Sequence, residues 1–273
     1  VGADLSPFTM WRRVDAPGRV AVDGMNLLVG QLRFSRWGWK IAATNTIYKL
    51  LGLMESGVLP IFVYDGKPHR LKAKREGGEM LESALRVVVE GLRLMGLPCV
   101  QAPGEGEAQA AYMAATGTAD AVYTRDYDAF LFGSPLVLRE AVEGRVEGCT
   151  LRSVLEAAGL SLWQLIDAAV LSGTDFNMGV RGVGIRRAVK LIKELGNLEA
   201  ALDFLGINER EEFLEARMVF VEPDVADVKF FFSAPQTGRL RKFLSIHLSE
   251  VHAENFVRRL LASHTRQARL MEE

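Results

Sequence analysis

Short apolar runs alternate with helically spaced apolar positions through the first half of the chain. Val20-Ala21-Val22 is an apolar run that stops at Asp23, and Leu59 to Tyr64 is a second that stops at Asp65-Gly66. Leu97 to Val100 and Ala119 to Thr124 read as two further strands, the last ending near Asp126. Between these runs, Ala42 to Met54, Met80 to Met95 and Glu105 to Ala115 carry helical spacing. In the second of them Leu81, Leu85, Val88, Leu92 and Met95 share one face. Strand alternating with helix predicts an α/β fold, a parallel twisted sheet flanked by helices.

The second half reads as helical. Ser161 is a plausible N-cap for a helix over Leu162 to Leu171. A glycine-rich turn from Gly179 to Gly184 leads into a helix from Ile185 to Leu195. Further helices are predicted over Leu198 to Phe204, Glu209 to Arg217 and Ala253 to Ser263, with Pro223 and Pro235 punctuating the stretch between. The expected organisation is a single domain with two lobes: a catalytic α/β part over roughly residues 1–160 and a helical part over roughly 161–273.

Composition narrows the class. Hydrophobic residues make up 49% and charged residues 25%, which fits a globular protein with a sizeable core. No apolar run is long enough to span a bilayer, and no basic-then-apolar leader opens the sequence. The two cysteines, Cys99 and Cys149, have no Cys or His partner at metal spacing and read as free thiols of a reducing compartment. The expected location is the cytoplasm or nucleoid, or a nucleus, and not the secreted space. A net charge of −1 argues against nucleic acid only if charge is spread evenly, and here it is not.

Acids recur where the predicted strands end. Asp23, Asp65 and the Asp126/Asp128 pair follow three strands, and Glu105 and Glu107 follow another and open a helix. In open parallel sheets, sites form outside the carboxyl ends of the strands, so these side chains should converge. Asp175 follows the helix predicted over Leu162 to Leu171, in Gly173-Thr174-Asp175. Each acid taken singly reads as a solvated loop carboxylate or an N-cap. Together they repel one another unless divalent ions neutralise them, and an oxygen-only donor set suits Mg²⁺ or Mn²⁺ rather than zinc. Two such ions would clamp a phosphate for in-line displacement.

These residues carry a resemblance. The stretches Val20-Ala-Val-Asp-Gly-Met-Asn26, Val63-Tyr-Asp-Gly-Lys-Pro68, Gln101-Ala-Pro-Gly-Glu-Gly-Glu-Ala108, Arg125-Asp-Tyr-Asp128 and Leu171-Ser-Gly-Thr-Asp175 resemble the flap endonuclease branch of the structure-specific 5′ nucleases. Gly182-Val-Gly-Ile-Arg-Arg-Ala188 and Lys242-Phe-Leu244 also fit, so the resemblance covers nearly the whole chain. It implies a 5′ nuclease or PIN-like core with a helix–two-turn–helix element, and a two-metal hydrolase of replication or repair. The family's metal acids fall on Asp23, Asp65, Glu105, Glu107, Asp126, Asp128 and Asp175. Two Mg²⁺ ions are implied, with Mn²⁺ as a substitute, and K⁺ at the helix–two-turn–helix turn.

The resemblance also implies a DNA interface. Lys72 matches a family lysine that stabilises charge on the scissile phosphate. The position of a family arginine is Glu79 by direct count, and Arg75 is its candidate substitute. Gly2 matches the family's N-terminal glycine. Lys67 opens a basic run, and Gly182, Gly184, Arg186, Arg187 and Lys190 would meet a duplex backbone. Phe34, Trp37 and Trp39 read by themselves as core or loop anchors; in the family this region is an apolar wedge against bent DNA. The implied partner is branched or nicked duplex DNA with a 5′ single-stranded flap, bound by a monomer. Sliding-clamp binding is known in the family, but no clamp motif is visible before Glu273.

Two departures qualify this picture. The family's long helical arch should lie between Asp65 and the helix before Leu97, yet the interval is short and contains Gly77-Gly78, which are costly inside a helix. A natural short form and an engineered deletion read alike here, and either weakens the threading of a 5′ strand. Val29 replaces a family tyrosine that stacks on a base. The competing readings are a 5′ exonuclease or junction-cutting relative with a short arch and, in another class, a non-catalytic protein that binds structured DNA.

Overall fold

The computed structural model describes residues 2–15, 18–34, 38–67, 69–71, 78–140 and 146–272, with side chains described up to residue 264 except at 34 and 140. Among the described residues, seven strands form one sheet: β1 (Arg12–Arg13), β2 (Arg19–Asp23), β3 (Leu59–Tyr64), β4 (Cys99–Gln101), β5 (Ala121–Tyr123), β6 (Leu136–Glu140) and β7 (Val146–Thr150). Their order is β1-β7-β6-β5-β2-β3-β4. From β6 to β4 every neighbouring pair is parallel, as the strand–helix alternation predicts. The sheet as a whole is mixed, because β7 returns antiparallel to β6 and β1 adds antiparallel to β7. That antiparallel edge departs from the parallel sheet expected from strand–helix alternation.

Strand periodicity assigns the two faces. Ala21, Ile61, Val63, Val100 and Val122 point to one side. There they meet α4 (Gly106–Ala115), α5 (Asp128–Leu131), α7 (Leu162–Ser172), α8 (Ile185–Leu195), α9 (Leu198–Phe204) and α10 (Glu211–Val221). Val20, Val22, Phe62, Ala121 and Tyr123 point to the other. That face is covered by α2 (Trp39–Glu55), α3 (Gly78–Leu94), α11 (Thr237–Ser245) and α12 (Glu250–Glu272). The central strands are buried on both faces, which is why they read as continuous apolar runs. The helices after Leu162 therefore divide between the two faces.

Two further α-helices among the described residues are α1 (Gly24–Phe34) and α6 (Leu151–Ala158). The first occupies the stretch that read as a connection between β2 and the next helix. The Ser161 cap is present as a capping box with Gln164. Among the described residues, no single helix is long and apolar enough to cross a membrane.

Candidate functional site

The chain runs β2, β3, β4 in one direction across the sheet and then crosses to β5 on the other side of β2. The carboxyl end of β2 is thus the switch point, where ligands of open α/β sheets bind. Asp23 is the last residue of β2 and is only 5% exposed. Its Oδ1 accepts the N–H of Asn26 at 3.0 Å, so it also caps the first turn of α1. Its Oδ2 accepts the Thr124 hydroxyl at 3.1 Å. The same hydroxyl oxygen accepts the N–H of Asp126 at 3.1 Å. Thr124 therefore links the acid at the end of β2 to the acid beyond β5.

Asp65 follows β3, and its Oδ1 accepts the N–H of Gly106 at 2.8 Å, at the start of α4. Glu105 is the N-cap residue of that helix and is buried, with Oε1 accepting the His69 N–H at 3.3 Å. Glu107 lies in the first turn, and its Oε1 accepts the N–H of Ala129 at 3.0 Å. One helix N-terminus thus gathers Asp65, Glu105 and Glu107, where its dipole favours negative charge. Asp126 Oδ1 accepts the Tyr127 N–H at 2.8 Å, and Asp128, buried, opens α5.

The acids converge as the strand ends require. Glu107, Asp126 and Asp128 each offer a carboxylate oxygen, and these atoms lie within 4.8 Å of one another. Burial pushes the Asp23 carboxyl up to about 7, and the charges of Asp65 and Asp126 push in the same direction against the hydrogen bonds from Asn26 and Thr124. Such a crowd of oxygen donors fits hard divalent cations. Asp175 lies past the end of α7 in a turn closed by a bridge between Thr174 and Asn177.

Gly2 sits against this cluster. A Cβ there would lie 2.9 and 3.1 Å from the two carboxylate oxygens of Asp128 and 3.0 Å from Asp126 Oδ1, so only glycine fits without displacing an acid. Gly2 also lines a groove with Thr174, Asn177, Met178, Arg186 and Arg187. The groove runs from Gly2, which abuts Asp126 and Asp128, to Gly184 and the start of α8. In that turn Val183 N–H donates to Val180 O at 2.9 Å and Gly182 has φ 80°, a type II arrangement that demands glycine. Arg187 Nη1 donates to Gly182 O at 3.3 Å. Gly184 is the N-cap of α8. The helix buries Ile185, Ala188, Val189, Leu191 and Ile192 and exposes Arg186, Arg187 and Lys190. Lys190 also pairs with Glu194 at 3.8 Å on the exposed face.

The remaining candidates fare differently. Lys67 is exposed beside the Glu105 end of α4, with its N–H donated to Pro103 O at 3.0 Å. Trp39 opens α2, half-buried against the core of that face, with the Lys40 ammonium 5.7 Å from its ring. Lys72, Arg75 and Trp37 lie outside the described residues. Between β3 and α3 only residues 65–77 remain, and the described part of that stretch, 65–67 and 69–71, is not helical. Asn26, His69 and Thr124 were not singled out as site residues. Thr124 had a readable signal, a hydroxyl at a strand end two residues before an acid; His69 had none.

Comparison with known proteins identifies the family. The XPG I-region family model matches residues 96–175, the span from β4 to Asp175. Flap endonuclease 1 of Methanothermobacter thermautotrophicus is 36% identical, over 89% of this chain and 90% of that protein. The chain belongs to the flap endonuclease family. The solved flap endonuclease-1 from Methanococcus jannaschii superposes with a TM-score of 0.80 at 30% identity, covering 97% of this chain and 100% of that one. The catalytic core of Rad2, solved in complex with a DNA substrate, shares the fold with a TM-score of 0.80 at 23% identity, covering 94% and 97% of the two chains. As a member of the flap endonuclease family the protein is a structure-specific 5′ nuclease, a metal-dependent hydrolase.

Proposed function

We propose that this nuclease cuts duplex DNA at 5′ flaps or related branch points in replication or repair, using two divalent ions held among Asp23, Asp65, Glu105, Glu107, Asp126, Asp128 and Asp175. Mg²⁺ is the expected ion, with Mn²⁺ as a substitute. The observation that carries the reading is the meeting of carboxylate oxygens from Glu107, Asp126 and Asp128 within 4.8 Å, beside a buried Asp23. When bound, the ions supply Lewis acidity and neutralise the phosphate. The chain's own work is positional. The α4 N-terminus and the Thr124 hydroxyl fix the acids, and Gly2 leaves room for a phosphate's approach.

The duplex would run along the groove from Gly2 to α8. Gly182 and Gly184 let its backbone come close, Arg186, Arg187 and Lys190 supply charge, and K⁺ would bridge the turn to a phosphate. Lys67 extends this charge on the far side of the acids. Lys72 is proposed to stabilise the charge on the scissile phosphate, with Arg75 as its neighbour in that task. Trp37 and Trp39 would form the apolar wedge against a bent duplex. In this scheme the stretch over roughly 1–160 is the catalytic core, the stretch over roughly 161–273 holds DNA and adds Asp175 to the metal acids, and the protein acts as a monomer.

The short 65–77 interval favours a second reading, a 5′ exonuclease or junction cutter that needs no threading. Cleavage of 5′-labelled flap, nicked, gapped and four-way substrates with Mg²⁺ separates the two. Flap cleavage at the branch, abolished by EDTA and by Asp126→Ala, is the expected result. Cutting of the four-way junction alone would overturn the flap preference, and equal products from wild type and Asp126→Ala would overturn the site.

A further inference from the structure

His69 lies on the segment that leaves β3 and leads towards Lys72, where it touches two separate parts of the site. Its backbone N–H donates to Glu105 Oε1 at 3.3 Å. Its ring stands edge-on to Phe176 at 5.7 Å and 89°. Phe176 is the buried neighbour of Asp175, and it meets Phe220 of α10 edge-on at 5.4 Å. Phe220 in turn lies 4.9 Å from Phe132, just past α5. The His69 ring also holds its own segment, since Nδ1 accepts the Leu71 N–H at 3.3 Å.

We propose that His69 is a positioning residue that ties Glu105 on α4 to the Asp175 turn after α7. The ring is seated on an aromatic cluster that spans α5, α10 and that turn, so the His69 backbone is held where its N–H meets the Glu105 carboxylate. Asp175 is the acid that no strand end delivers, and this contact gives it a fixed relation to the acids of the sheet crest. In a chain whose 65–77 interval is short, such a pin fixes the start of the segment that bears Lys72. The inference rests on reading Glu105 and Asp175 as metal acids.

The test compares His69→Ala, His69→Phe and His69→Asn with wild type. The readouts are the single-turnover rate on a 5′ flap, the Mg²⁺ concentration for half-maximal rate, and flap-DNA affinity in Ca²⁺. Loss of an outer partner of a metal ligand typically costs about 10–100-fold in metal affinity or activity. His69→Ala is therefore expected to raise the half-maximal Mg²⁺ concentration about tenfold while DNA affinity stays within about twofold. His69→Phe, which keeps the ring on Phe176, should recover most of that loss, and His69→Asn should not. Wild-type Mg²⁺ dependence in all three variants overturns the pin. So does a loss confined to DNA affinity, or a rescue by Asn and not by Phe. A wild-type enzyme indifferent to Mg²⁺ and to Glu105→Gln would overturn the underlying site instead.

Discussion

Asp23→Asn should make the metal-free protein more stable at alkaline pH while abolishing its activity. Asp23 is buried, and its carboxyl is pushed from the ordinary 3.8 up to about 7 by burial and then by the charges of Asp65 and Asp126. The unfolded chain ionises this group near its ordinary value, so between the two values the folded protein holds a proton that the unfolded one has released. Stability from this group is therefore full below about pH 4 and declines as pH climbs towards 7. By pH 8 the accumulated penalty is on the order of 4 kcal/mol, shared with the carboxylates it is coupled to. Asparagine removes the penalty and weakens one hydrogen bond, at a cost of about 1 kcal/mol. Urea unfolding in EDTA should thus find Asp23→Asn more stable than wild type by up to about 3 kcal/mol at pH 8, and by less than about 1 kcal/mol at pH 5. Adding Mg²⁺ should stabilise wild type at pH 8 more than the variant, because ion binding replaces the missing proton. If Asp23→Asn is no more stable than wild type at pH 8 without metal, burial and the neighbouring charges do not penalise the ionised carboxylate and the argument fails.

Three other outcomes follow from particular residues. Gly2→Ala places a methyl about 3 Å from Asp126 and Asp128 oxygens, and single-turnover cleavage should fall about tenfold or more, since small displacements of catalytic groups are costly; an unchanged rate would show that the N-terminus swings clear. Replacing both Arg186 and Arg187 by alanine should weaken duplex binding and lower the slope of log K against log salt by about 2, which a fluorescence-anisotropy salt titration reads directly. Lys72→Ala should cut the single-turnover rate about 100-fold or more while flap binding in Ca²⁺ changes little; a loss of binding alone would move Lys72 from the scissile phosphate to the duplex.

The parts of the fold that could be read in the sequence are those whose local pattern and final environment agree. Val20 to Val22 of β2 and Leu59 to Val63 of β3 are apolar because both faces of these strands are covered, and the acids that follow them mark the sheet crest. The helix α8 shows its arginines and buries its aliphatics in strict alternation of faces, so its boundaries match the expected ones. The β6–β7 pair escaped notice because Leu136–Glu140 and Val146–Thr150 carry charges or glycine, and their pairing is set by the partner strand. The helix α1 escaped because its capping signal is Asp23 itself, a strand residue followed by Gly24. The candidate site was legible as a list of acids but not as an arrangement. That Glu107, Asp126 and Asp128 would share one cluster, and that His69 would touch both Glu105 and Phe176 beside Asp175, depends on contacts between residues far apart in sequence.

The central claim is that the crest acids hold two divalent ions at the bond that is cut. Crystals of the protein with uncleaved 5′-flap DNA, grown with Mn²⁺ in place of Mg²⁺, test it by anomalous scattering at a Mn²⁺ concentration that supports cleavage in solution. Two peaks are predicted about 4 Å apart, one of them bounded by Glu107, Asp126 and Asp128 and both reaching the scissile phosphate. No peak within coordination distance of these carboxylates, or Mn²⁺ bound only to phosphates away from them, would contradict the account.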